Sequence, residues 1–333
     1  MKAEDFIRLY LEKGSVKKAD RAISLIIKNY TSRDIEERVL QSIPSASRTN
    51  HIFTTTIQPE IYTGKNPVVK DIVSRFSEAK SAAIVMVLVH GSISTSEEIN
   101  YSDFDGIILI DESKLTGAGE LQQLRKLIAG TEQLMFRQDA LQHHGWKVFL
   151  RSDFSDYPDA EFPLELLRTG KIIYPAQASP IKVNIVETHQ HYKNGFESIL
   201  HSIKKKCRKP PSDLFKFKIL CSEIMLLPAL FLQAMHNKTH SKKESFDQLK
   251  SQFPTIKTEL IDQVSTLRHQ WKQPEFNFTL SAFHTFRKSG IYLEALAPAI
   301  PEEIGKELNP DWYGRVSLLC DHLEDALSKN QKG

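Results

Sequence analysis

His90-Gly91-Ser92, then ten residues, then Asp103-Phe104-Asp105-Gly106 is the stretch of this chain from which the rest can be read. It lies between two strand-like apolar runs, Ala83–Val89 (AIVMVLV) and Gly106–Ile110 (GIILI). Side chains two apart on a strand share one face, so Asp103 and Asp105 are expected to project together at the head of the second strand. Two carboxylates side by side repel unless a cation sits between them. Oxygen ligands of this kind suit Mg²⁺, which commonly takes one or two carboxylates plus substrate phosphates. Gly91 and Ser92 add a backbone that can approach a phosphate closely and a hydroxyl to bond it. The expectation is a site for a metal–triphosphate. The competing reading is a loop whose acids are solvated turn formers.

The segment Gly91-Ser92 … Asp103-Phe104-Asp105-Gly106-Ile107-Ile108 resembles the nucleotidyltransferase motif of the DNA polymerase β superfamily. The resemblance covers about residues 83–110. It implies that Gly91 and Ser92 bind the phosphates of an NTP and that Asp103 and Asp105 bind divalent metal, Mg²⁺ or Mn²⁺. It further implies a third acid near the strand that follows the intervening helix, completing the metal site or acting as general base. That region reads Arg137-Gln138-Asp139-Ala140-Leu141-Gln142-His143-His144-Gly145-Trp146. Asp139 is the first choice, although it precedes the strand where the commonest pattern places the acid on it. Asp153 and Asp156 follow the strand and sit at its far end. His143 or His144 could serve as proton acceptor in place of the acid, since imidazole titrates near neutral pH.

Outward from the motif the apolar spacing sets the organisation. Val68–Ala79 carries Val69, Ile72, Val73 and Phe76 at helical spacing, Glu120–Met135 returns to that period, and Trp146–Leu150 reads as a third strand. Residues 1–60 read as an N-terminal helical segment, from Phe6, Leu9 and Tyr10, from Ala22, Ile23, Leu25 and Ile26, and from a helix start at Ser32–Glu36. Ala176–Pro180 is turn-like, so a nucleotidyltransferase core is expected over 61–178. A C-terminal helical domain follows over 185–330, with stripes at Phe196, Ile199, Leu200 and Ile203 and again from Leu214 to Met225. Ile219–Met235 is the most apolar run, but Ser222, Glu223 and Pro228 interrupt it; a buried helix kinked or divided at Pro228 is expected instead of a membrane span.

Composition narrows the classes. A chain of 333 residues with 41% hydrophobic and 26% charged content has the profile of an ordinary globular protein large enough for two domains. A net charge of +3 does not by itself argue for a nucleic-acid partner. Cys207, Cys221 and Cys320 are odd in number and far apart, which argues against a disulfide framework and for a reducing cytoplasm. Charged residues interrupt the N-terminus, so no secretory segment is expected. Lys204–Lys209 and the group Lys238, Lys242 and Lys243 are basic patches that either meet a polyanion or simply end helices. His189 and His191 read as a surface accident, and Arg268 and Trp271 as packing residues.

The fold expected is therefore α+β: a polymerase β-like core with a small mixed sheet, plus a C-terminal α-helical bundle. The activity expected is Mg²⁺- or Mn²⁺-dependent transfer of NMP from an NTP, ATP first, to an acceptor with release of pyrophosphate. The acceptor stays open among a small molecule, tRNA or other RNA, and a protein hydroxyl. No membrane partner and a cytoplasmic location are expected. The rival is a non-catalytic nucleotide-binding or partner-binding module on the same fold.

Overall fold

The computed structural model describes residues 3–12, 53–95, 98–142, 144–157, 159, 162–177, 180–185, 189–273 and 298–330. The helical spacing at 22–26, the helix start at 32–36 and His143 lie outside the described residues.

Around the motif, a strand β3 (Ile84–Val89) pairs antiparallel with β4 (Gly106–Ile110), and β4 pairs parallel with β5 (Lys147–Leu150). On the other side of β3 stands β6 (Lys171–Tyr174), antiparallel, and then the two-residue β2 (Glu60–Ile61). The mixed sheet has the order β2-β6-β3-β4-β5. The period-2 alternation divides these apolar strands between two cores. Val87, Val89, Ile108, Ile110, Val148 and Leu150 face one cluster, which includes residues of α1 (Ala3–Glu12), α2 (Pro67–Ala79) and the helix Ala118–Met135, here α4. Met86, Leu88, Ile107, Leu109 and Phe149 face the other, with Phe154, Tyr157 and Leu167 of the short helix α5 (Leu164–Thr169).

Several elements differ from the sequence expectation. The stretch 1–60 is not all helical: β1 (Phe53–Ile57) pairs antiparallel with β7 (Ile181–Ile185), so a strand follows the turn-like residues 176–180. The helix α1 packs against α4 and β5 as part of the sheet's own core. Asn66 caps α2, its side chain accepting from the Val68 and Val69 amides, with Pro67 at the first helical position where a missing N–H costs nothing.

After β7 every regular element among the described residues is helical: α6 (His189–Arg208), α7 (Leu214–His236), α8 (Lys242–Gln252), α9 (Glu259–His269), α10 (Glu302–Glu307) and α11 (Pro310–Asn330). Helix α7 is the centre, buried on most sides and in contact with α6, α8, α9 and α11. It continues as one helix through Pro228 and is not divided there. A proline removes one helical hydrogen bond, and packing on several sides offsets that loss. Cys221 and Cys320 are buried free thiols in this core, as small apolar residues would be. Among the described residues no helix is long and apolar enough to cross a membrane.

Candidate active site

The β3–β4 ladder brings the motif together. Val89 pairs with Gly106, and one residue further the His90 amide donates to the Asp105 carbonyl at 3.0 Å. That contact sets Gly91 beside Asp105, at the start of the short helix α3 (Gly91–Thr95). Gly91 has φ +64°, a left-handed conformation that favours glycine. A Cβ here would lie 2.9 Å from Asp105 Oδ2, so only a bare Cα lets that carboxylate lie against the turn. The Ser94 hydroxyl donates to the Gly91 carbonyl at 2.8 Å and fixes the turn. Burial holds His90 neutral, its imidazole pushed down to about 4.

Between the two acids, Phe104 is fully buried, its ring 6.0 Å from that of Trp146 and T-shaped to it. Gln142 grips its backbone. The Phe104 amide donates to Gln142 Oε1 at 2.7 Å, and Gln142 Nε2 donates to the Phe104 carbonyl at 2.7 Å and to the His144 carbonyl at 2.8 Å. A side-chain amide thus stands in for a neighbouring strand and holds the Asp103–Asp105 segment from behind. Gln142 was overlooked in the sequence because its partner lies 38 residues away. His144 itself is exposed.

Asp139 follows α4 and is buried, its Oδ1 accepting from the Leu141 amide at 3.1 Å and from Gln273 Nε2 at 3.3 Å. Its Oδ2 accepts from Lys218 Nζ, and that same ammonium donates to Asp103 Oδ1 at 2.7 Å. Lys218 comes from α7 in the helical half, and its side chain is 0% exposed. Burial is the main effect raising Asp139, to about 6, with the Lys218 charge opposing it and nearby Asp103 adding to it. The fold therefore does bring Asp139 to Asp103, through a lysine that the sequence reading did not single out. Asp153 is engaged elsewhere, with Arg8 and with the Leu150 amide at 2.8 Å.

The loop before the acids is welded to the helical half. The Tyr101 hydroxyl donates to the Lys218 carbonyl at 2.6 Å and is 2.8 Å from the Ser222 hydroxyl. The Lys218 ammonium and the Arg268 guanidinium stand 5.0 and 4.6 Å from the Tyr101 ring centre, and Trp271 meets the ring edge-on. Arg268 Nε finds no hydrogen-bond acceptor among the described residues. Lys242, at the start of α8, feels both Asp103 and Asp105; burial and then Arg268 push its ammonium down to about 8. One of the two basic patches thus reaches the acids. Two members of the other patch are paired within the chain: Lys204 with Asp321 and Glu324, and Lys206 with Glu223.

Asp103 and Asp105 have the donor chemistry of a divalent-ion site, two hard carboxylates, one of them lying against Gly91. Asp139 suits it less, since both its oxygens are already hydrogen-bonded and its side chain is 0% exposed. Among the described residues no three His, Cys, Asp or Glu side chains form a ligand set. Comparison with models of protein families and with curated proteins returns no match for this chain.

Proposed function

We propose that this chain is a metal-dependent nucleotidyltransferase that moves an NMP from an NTP, ATP first among them, to an acceptor hydroxyl. The observation that carries the reading is the close approach of Gly91 to the Asp105 carboxylate, with Asp103 two residues before it and Lys242 within electrostatic reach of both acids. Such a group has a use if a metal–triphosphate lies there: carboxylates toward the metal, cations toward the phosphates.

A bound Mg²⁺ or Mn²⁺ would supply Lewis-acid stabilisation of charge at the α-phosphate. The residues of the chain do the rest. Asp103 and Asp105 would hold the ion, and the Gly91–Ser92 backbone would lie close to the phosphates. Lys242 and Arg268 neutralise the departing pyrophosphate. The acceptor oxygen bonds to the α-phosphorus, the bond to the bridging oxygen of pyrophosphate breaks, and the acceptor's proton leaves to solvent. Asp139 is not asked to take it, because its side chain is closed off. Positioning and charge neutralisation are the main needs of phosphoryl transfer, so so few groups suffice.

The test is to incubate the purified chain with each α-labelled NTP, Mg²⁺ or Mn²⁺, and extract from the source cells. Label entering RNA, protein or a small molecule supports the reading and names the acceptor class. NTP binding without any transfer would favour a non-catalytic nucleotide-binding module instead.

A further inference from the structure

Lys218 sits where a second cation of a two-metal site would be expected, between Asp103 and Asp139. Its surroundings make it a fixture. The side chain is 0% exposed, it projects from a helix whose neighbours Leu214, Phe217, Leu220 and Cys221 are all in the core, and the Tyr101 ring lies 5.0 Å from its nitrogen. An ammonium has three N–H donors, and two are spent on the two acids.

Asp139 is committed as fully. Its Oδ2 takes Lys218, and its Oδ1 takes the Leu141 amide and Gln273. Magnesium demands a near-octahedral shell at close range and usually keeps several waters. A carboxylate 0% exposed and already bonded at both oxygens leaves no room for that shell of waters.

We propose that Lys218 is a built-in cation in place of a second metal: the site takes one divalent ion per chain, at Asp103 and Asp105. Asp139 holds Lys218 and ligates no metal. In this arrangement Lys218 and Asp139 are positioning residues. Lys218 binds Asp103 Oδ1 and so fixes the orientation of that carboxylate. The inference rests on the nucleotidyltransferase reading, and the experiment separates the two.

The full-length protein is titrated with Mn²⁺ in the presence of a saturating non-hydrolysable ATP analogue, and free Mn²⁺ is counted by electron paramagnetic resonance. The expected result is one protein-bound Mn²⁺ per chain beyond any held by the analogue alone in a protein-free control. Two would overturn the inference and leave the nucleotidyltransferase reading standing. None would sink both. The second measurement is the same titration on Asp139→Asn, which keeps a hydrogen-bonding side chain of the same size for Lys218. One Mn²⁺ is still expected, its affinity weakened by less than about tenfold, because the change removes a nearby negative charge but no ligand. A tenfold or larger loss of Mn²⁺ affinity in a folded Asp139→Asn would show that Asp139 is a ligand after all. If that variant does not fold, the wild-type count decides alone.

Discussion

Gly91→Ala separates the role of the Gly91–Asp105 contact from that of the fold. The left-handed φ of +64° at Gly91 penalises any side chain, by about 1–2 kcal/mol. Fewer unfolded conformations for alanine return about 0.4–1 kcal/mol of that. The net loss is then about 1 kcal/mol, a fall of a few degrees in melting temperature. The larger consequence is local. The new Cβ would stand 2.9 Å from Asp105 Oδ2, inside ordinary contact distance, and the mobile carboxylate is what must give way. A displacement of about half an ångström at a catalytic ligand is at the limit that such sites tolerate. Transfer should fall by roughly ten- to a hundredfold, with weaker binding of Mn²⁺–nucleotide. Gly130→Ala is the control: exposed in the middle of α4 with nothing within 4 Å of the added Cβ, it should stabilise by about 0.5–1 kcal/mol and leave transfer unchanged. Calorimetry and initial rates on both variants check this. A Gly91→Ala protein with wild-type turnover and metal–nucleotide affinity would refute the placement of the site.

Further expectations attach to the neighbours. Gln142→Leu deprives the Phe104 amide, the Phe104 carbonyl and the His144 carbonyl of their partner, at about 1–3 kcal/mol for each group left dry; a melting temperature within two degrees of wild type would show the clamp to be dispensable. Lys242, pushed down to about 8 by burial and Arg268, is charged at pH 7 and loses its proton above pH 8. Nucleotide binding favours the charged form, so ATP affinity with Mg²⁺ should fall by up to about tenfold per pH unit between pH 8 and 10 and stay nearly flat in Lys242→Gln. Isothermal titration across that range reads the slope, and parallel curves for the two proteins would remove Lys242 from the phosphate site.

The sequence made the centre of the sheet legible, and the reason is physical. Ile84–Val89 and Gly106–Ile110 are buried on both faces, so each is a continuous apolar run that needs no partner to be recognised. The same holds for α2, whose Asn66–Pro67 start marks its own beginning. The short strands were hidden: Phe53–Ile57 is largely threonine, and Lys171–Tyr174 has four residues whose pairing comes from β3 and β2, far away in sequence. The site was half visible for a similar reason. Asp103 and Asp105 announce themselves by spacing, whereas Lys218 and Gln142 act over sequence separations of 115 and 38 residues. One signal did exist for Lys218. A single lysine between Phe217 and Ile219, in a helix face that is otherwise core, has to find a buried counter-charge.

The central claim is transfer of the α-phosphoryl nucleotide unit, and parallel reactions with α-labelled and γ-labelled ATP test it most directly. With Mg²⁺ and the acceptor fraction present, the α-label should appear in product, the γ-label should be released only as pyrophosphate, and Asp105→Asn should abolish both while remaining folded. Transfer of the γ-label to the acceptor, or full activity in Asp105→Asn, would contradict the account.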